Sequence, residues 1–409
     1  MSIKSNFEPD LLKQPKPVRQ AYFDGFMAEH SRIKDAVVQV MDIIHVPADS
    51  RVVHIVGPTG VGKSTLMVHL LKEIFEEEMP AMKKDPGLIP TAFITARTPP
   101  VGTYNWTDHF IRTMNALDEI LVSKKIELTD PEPLPRDVPK PIRKQIGDNA
   151  AIQRAAESTL KNRKLTAFFI DNAHFLLKRL SEAEVKNQAD NVFSVADQSD
   201  TLHVLIGTYD LLEMRNLNGQ LARRSQTFHF SNYSIDDVND RKFFSSAFKT
   251  LLSAVPLPEP PDLMDAEHVE FAYERSLGCI GILKNWLSRS LNAAMKRKDQ
   301  KLNFKTFKQQ ALSIAECRQI AIEISKGKTK LKENEDALAR LELRQYLGMD
   351  KVTNDELAHT TSEAFQEEPE ETGSAVDSEP PSTKAVKSGK GTFRGSAESY
   401  PVGVDRVAS

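Results

Sequence analysis

The chain has 409 residues, of which 40% are hydrophobic and 27% charged, values ordinary for a globular protein long enough to hold two or three domains. No segment approaches the ~20 uninterrupted apolar residues of a membrane span, and Met1–Glu8 has no apolar signal core, which together predict a cytoplasmic protein. The net charge of -3 argues against a nucleic-acid binder until the chain is divided: residues 350–409 carry 12 acidic and 6 basic side chains, a balance of -6, and residues 1–349 are left at +3.

The first 50 residues read as a proline-marked lead (Pro9, Pro15, Pro17) followed by one helical pattern from Val18 to Ile44, with Phe23, Phe26, Ile33, Val37, Val40 and Ile44 on one face. They form a helical preface. Over 51–233, short apolar strands (Val52–Val56, Thr91–Thr95, Ala167–Ile170, His203–Ile206) alternate with helices, which predicts a parallel α/β sheet. The polar, proline-rich stretch Thr129–Pro141 reads as an exposed loop. From Ser234 the strands cease and amphipathic helices follow at Val238–Leu252, Ala266–Leu277 and Ile282–Met295, an all-helical lid over 234–330 broken by Pro256, Pro258, Pro260 and Pro261. A helix at Asp336–Tyr346 lies in an extension over 331–349, and the acidic tail over 350–409, rich in Glu, Ser, Pro and Gly, is expected to be disordered. No internal repeat is present. Cys279 and Cys317 stand far apart without the spacing of a zinc site, so no metal beyond nucleotide Mg²⁺ is implied.

The chemistry concentrates at Gly57-Pro58-Thr59-Gly60-Val61-Gly62-Lys63-Ser64-Thr65, between the strand ending at Val56 and an apolar helix start. In a strand–loop–helix context this is a phosphate-binding loop. Its glycines let backbone N–H groups surround a phosphate, the helix N-terminus adds partial positive charge, Lys63 reaches the β- and γ-phosphates, and Ser64 holds Mg²⁺. ATP or GTP is the implied ligand, and an α/β P-loop sheet followed by a helical lid is the outline of an AAA+ ATPase, which favours ATP. Asp171 ends the apolar strand Ala167–Ile170 and is placed to act on Mg²⁺. The next residue, Glu in most AAA+ proteins, is Asn172, whose amide positions water but takes no proton. Two readings stay open: tight binding with slow hydrolysis, or a base supplied by His174 or a neighbouring subunit.

Thr208, after the strand ending at Ile206-Gly207, is the candidate sensor of the γ-phosphate, and Lys284 a lid candidate. Arg223 and Arg224, ahead of the strand at Thr227–Phe230, are candidates to enter the next subunit's site.

With these motifs in this order, together with Thr95-Ala96-Arg97-Thr98-Pro99-Pro100 and Gln220-Leu221-Ala222-Arg223-Arg224, the chain resembles the TnsC/TniB family of AAA+ transposition regulators over roughly residues 20 to 300. The family's Leu-x-x-Arg pattern singles out Arg224 as the finger, while Asn172 and Ser225 depart from its usual Glu and Phe. The resemblance implies ATP-dependent rings or helical filaments on double-stranded DNA that link a target selector of the TniQ type to a transposase. Candidate phosphate contacts are Arg97 and Thr98 after the second strand, and Lys124, Lys125, Arg136, Lys140, Arg143 and Lys144 in or beside the insert, binding without reading sequence. Tyr104 and Trp106 begin a helix and read as core, and Phe393, Arg394 and Tyr400 would suit a partner tether in the tail. A helicase-loading or replication-initiation ATPase, and a nucleotide-switched signalling protein that never touches DNA, are the competing readings.

Overall fold

The computed structural model describes residues 5–98, 102–119, 140–215, 219–333, 337–347 and 349, with backbone alone for 140–149, 215, 332–333 and 337–339. Two compact units divide the chain, Met1–Arg340 and Leu341–Ser409. The candidate site lies in the first. The tail at 350–409 and the insert residues Lys124, Lys125 and Arg136 lie outside the described residues.

All five strands expected from the sequence are present: β1 (Val52–Val56), β2 (Thr91–Thr95), β3 (Ala167–Asp171), β4 (Leu202–Gly207) and β5 (Ser225–His229). They pair in parallel in the order β2-β3-β4-β1-β5, with Val53 opposite Val204 and Gln226, and Phe93 opposite Phe169. Every residue of β1, β3 and β4 is buried, as expected for parallel strands covered on both faces. This is the AAA+ P-loop sheet, flanked by helices and followed by a helical region.

Helices α1 (Lys16–Gly25) and α2 (Ser31–His45) replace the single helix expected over Val18–Ile44. The break has a packing cause. Phe23 of α1 belongs to the core of the C-terminal helices, whereas Ile33, Ala36, Val40 and Ile44 of α2, spaced by three or four, pack on the sheet. Buried Arg19 fixes α1 by donating from Nε to Pro256 O (2.9 Å) and from Nη1 to Gln300 Oε1 (2.9 Å). Between the two helices, Phe26 turns extended and His30 Nδ1 meets the Tyr233 hydroxyl at 2.8 Å.

Around the sheet lie α3 (Lys63–Met82), α4 (Trp106–Ala116), α5 (Lys140–Asn162), α6 (Glu182–Ser199) and the short α7 (Leu212–Arg215) and α8 (Gly219–Arg223). The α5 backbone is already helical at Lys140, where the sequence suggested a loop. Tyr104 is core, its hydroxyl 2.9 Å from His109 Nδ1.

The helical region comprises α9 (Val238–Ser253), α10 (Ala266–Ser276), α11 (Ile280–Lys296), α12 (Phe304–Gln309) and α13 (Ile314–Glu333). Asp237 caps α9 by accepting from Asn239 N at 2.6 Å, and Trp286 stacks on Phe307 with ring centroids 3.8 Å apart. A last helix, α14, runs Ala337–Tyr346. No helix among the described residues is long and apolar enough to cross a membrane.

Candidate nucleotide site

The parallel sheet brings the sequence candidates together because β1, β3 and β4 all end on the same side. Past β1 the chain enters the loop Gly57–Gly62, with Gly60 at φ +75 and Gly62 at φ +116, backbone open to glycine and costly to other residues. Gly57 is equally constrained by space, since a Cβ there would come within 2.1 Å of Phe230 O. Lys63, the first residue of α3, folds its ammonium back to donate to Gly57 O and Pro58 O, both at 2.8 Å. Burial lowers its pKa to about 8, against the opposing charges of Glu323 and Asp171.

Ser64 Oγ donates to Asp171 Oδ2 at 2.9 Å, and Asp171 Oδ1 accepts from the backbone N–H of Asn172 at 2.8 Å. The two residues proposed for Mg²⁺ are thus adjacent. Asn172 takes the left-handed conformation (φ 54, ψ 31) at the head of the turn Ala173–Leu177. That position turns the chain at the end of β3 and suits Asn better than most side chains. Asn172, His174 and Thr208 line the same cleft as Thr59, Gly60, Lys63 and Ser64. Burial lowers the His174 pKa, so the ring is neutral at pH 7, and its buried Nδ1 has no hydrogen-bond partner among the described residues. Thr208 Oγ1 donates to Asp210 Oδ2 at 3.2 Å.

The helical region closes the cleft from the other side. Ile282 N donates to Gly60 O at 3.1 Å, and a Cβ on Gly281 would lie 2.5 Å from that carbonyl. Lys284 also lines the cleft, but its ammonium donates to Asp24 O of α1 at 2.7 Å. A residue the sequence did not single out, Glu323 of α13, reaches the loop: Thr59 donates to it from N at 3.2 Å and from Oγ1 at 3.1 Å. No sequence signal marks this contact, because 264 residues separate the partners.

The fit to a nucleoside triphosphate with Mg²⁺ is close in its donor set. The glycine loop offers backbone N–H groups and an ammonium, while the Ser64–Asp171 pair offers the hard oxygen ligands that Mg²⁺ requires. Across residues 48–214 the sequence matches the family described as AAA domain (AAA_22). This stretch has the AAA+ P-loop fold. No curated protein matches the chain. Similar solved structures include the Aeropyrum pernix ORC2 protein in its ADP form, 14% identical with TM-score 0.45 and 71% of each chain covered. The Walker-type ATPase of Pyrococcus abyssi is 13% identical with TM-score 0.41, covering 84% of this chain and 93% of that one.

Other candidates lie away from this cleft. Arg223 and Arg224 stand before β5, at the N-terminal edge of the sheet, whereas the phosphate loop follows β1 at its C-terminal edge. A five-residue strand spans about 16 Å, so neither arginine reaches its own phosphate loop. Arg223 pairs with Asp49 in the open, and the less exposed Arg224 pairs with Asp197. Arg97 and Thr98 are exposed after β2. Lys140, Arg143 and Lys144 fall in the first turns of α5, and their side chains lie outside the described residues.

Proposed function

We propose that the protein is an ATP-binding AAA+ oligomer that assembles on double-stranded DNA without reading sequence and links a TniQ-type target selector to a transposase. The observation that carries the assembly reading is the placement of Arg223 and Arg224 at the edge of the sheet opposite the phosphate loop. Such a molecule presents a nucleotide site at one end and arginines at the other, and head-to-tail contact would complete one subunit's site with the next subunit's cation. The family resemblance supplies the DNA and transposase parts of the proposal, and exposed Arg97 and Thr98 on a loop at the C-terminal edge of the sheet are compatible with phosphate contacts.

In this reading the Gly57–Thr65 loop holds the phosphates through backbone N–H groups, Lys63 neutralises them, and Ser64 with Asp171 holds Mg²⁺. The bound nucleotide supplies a cleavable phosphoanhydride and the negative charge that draws loop, lid and arginine together. Asn172 orients water through its amide and accepts no proton, so turnover is slow unless another group takes that proton. Neutral His174 stands in the same cleft as a proton acceptor. Thr208 reads the γ-phosphate, and Ile282 keeps the lid on the loop.

Electron microscopy of the protein with random-sequence duplex DNA, with and without ATP and alongside Lys63→Ala, tests the proposal. Rings or filaments that require ATP and Lys63 are expected. Free monomers under every condition overturn it. A strand-transfer assay that requires both this protein and a transposase separates transposition from helicase loading.

A further inference from the structure

The helix α13 has no part in the nucleotide chemistry described so far, yet it touches several of the elements that surround the cleft. At its start, Cys317 Sγ meets Arg275 O at 3.5 Å, and Arg275 Nη1 donates to Leu312 O at 3.0 Å, tying the helix to α10 of the lid. One and a half turns later Glu323 accepts from Thr59 of the phosphate loop, beside Ile324, which is buried with Cys279 and Ile282. One turn further, Gly327 lies against the ring of Tyr209, immediately after the candidate sensor Thr208: a Cβ at 327 would be 2.2 Å from that ring. Near the C-terminal end, Lys330 pairs with Glu213 at 3.2 Å and Leu331 packs on the sheet's core. Residues 317, 324, 327 and 331 recur at helical spacing, so one face of a rod about 30 Å long binds the lid, the phosphate loop, the sensor loop and α7 in turn.

The contact with the phosphate loop is made by an anion. A glycine-rich loop at a helix N-terminus is built to receive negative charge, and here a carboxylate of the chain's own receives the Thr59 N–H and hydroxyl. A triphosphate brought to that loop adds like charge beside Glu323 in a half-buried setting, where repulsion is screened less than in water.

We propose that α13 is a strap that joins the lid to the phosphate and sensor loops and that Glu323 is its latch, an internal anion that holds the loop when nucleotide is absent and is expelled when a nucleoside triphosphate binds. The proposal rests on the nucleotide-binding reading above. Because the strap joins the lid to the sensor loop, its release would free both elements together, and arrival of nucleotide would become a change in the cleft-side surface of the subunit.

Glu323→Gln tests this, because the amide keeps the size and the acceptor oxygen but removes the charge. ATP affinity, read by titration of a fluorescent ATP analogue at low salt, is expected to rise about fivefold or more in Glu323→Gln and in Glu323→Ala, a gain that shrinks at high salt. Hydrogen exchange over residues 320–330 of the full wild-type chain is expected to quicken when ATP is added, and not to change in Lys63→Ala. Unchanged or weaker ATP binding by both Glu323 variants, with wild-type thermal stability, overturns the latch while leaving the nucleotide site intact. Absence of ATP binding in the wild type and both variants overturns the nucleotide reading itself.

Discussion

The amide of Ile282 donates to the carbonyl of Gly60 at 3.1 Å, so the first turn of α11 is hydrogen-bonded directly to the phosphate loop. Gly281 permits this approach, since a Cβ there would sit 2.5 Å from Gly60 O. Lid and loop are therefore one mechanical unit.

Gly281→Ala should force the lid off the loop. ATP affinity is expected to fall about tenfold, equivalent to about 1.4 kcal/mol, in a fluorescence titration. Little global stability should be lost, because Trp286 and the rest of the lid core remain packed. Unchanged affinity would mean that the lid makes no contribution to binding.

Asp171→Asn separates the metal from the phosphates. Asp171 faces Ser64 Oγ at 2.9 Å, and an amide in its place is a weaker ligand for a hard divalent cation. Addition of Mg²⁺ should strengthen ATP binding by the wild type and much less by Asp171→Asn. Equal Mg²⁺ dependence in the two proteins would remove Asp171 from the metal site.

Much of this site is legible in the sequence because its chemistry is local. The run from Gly57 to Thr65 carries its own turn glycines and helix start, and Asp171 follows four apolar residues that only a buried strand explains. What escapes is set by distant packing. Nothing near Glu323 marks it as a partner of Thr59, and the 26–30 break between α1 and α2 interrupts an apolar pattern that continues through it, because the two halves serve different cores. The left-handed backbone of Asn172 is likewise invisible until β3 is seen to end there.

Arg224→Ala should leave ATP affinity unchanged, since the arginine lies a strand's length from its own loop. It should lower turnover of the assembled protein about tenfold or more as a cation acting in trans. Loss of its partly exposed pair with Asp197 should cost at most about 1 kcal/mol in a denaturant titration. Arg223→Ala, exposed and paired with exposed Asp49, should change neither quantity. The reverse ranking of the two variants would give the trans role to Arg223.

Acid should destabilise the fold through buried histidines. His203 is pushed down to about 4 and His109 to about 3, chiefly by burial. Between the ordinary value near 6.5 and these values the unfolded chain binds protons that the folded chain refuses, so stability is full above pH 6.5 and falls as pH drops. Urea midpoints at pH 7 and pH 5 should differ by an amount equivalent to roughly 2 kcal/mol per histidine at most. His203→Asn should flatten the slope by one histidine's share. A variant slope equal to that of the wild type would show that His203 does not contribute.

Asn172→Glu asks whether the missing carboxylate is what limits hydrolysis. The backbone at 172 is left-handed, a conformation that Asn accepts more readily than Glu, so the substitution should cost about 1 kcal/mol of stability. Against that cost, a carboxylate in the cleft could accept the proton that the amide of Asn172 cannot, and general-base catalysis typically contributes about 10²–10⁴ in rate. Phosphate release under saturating ATP should therefore rise at least about tenfold in Asn172→Glu, with affinity little changed. If the rate stays at the wild-type level while His174→Ala abolishes it, proton transfer runs through the imidazole, and the amide at 172 serves only to turn the chain and orient water.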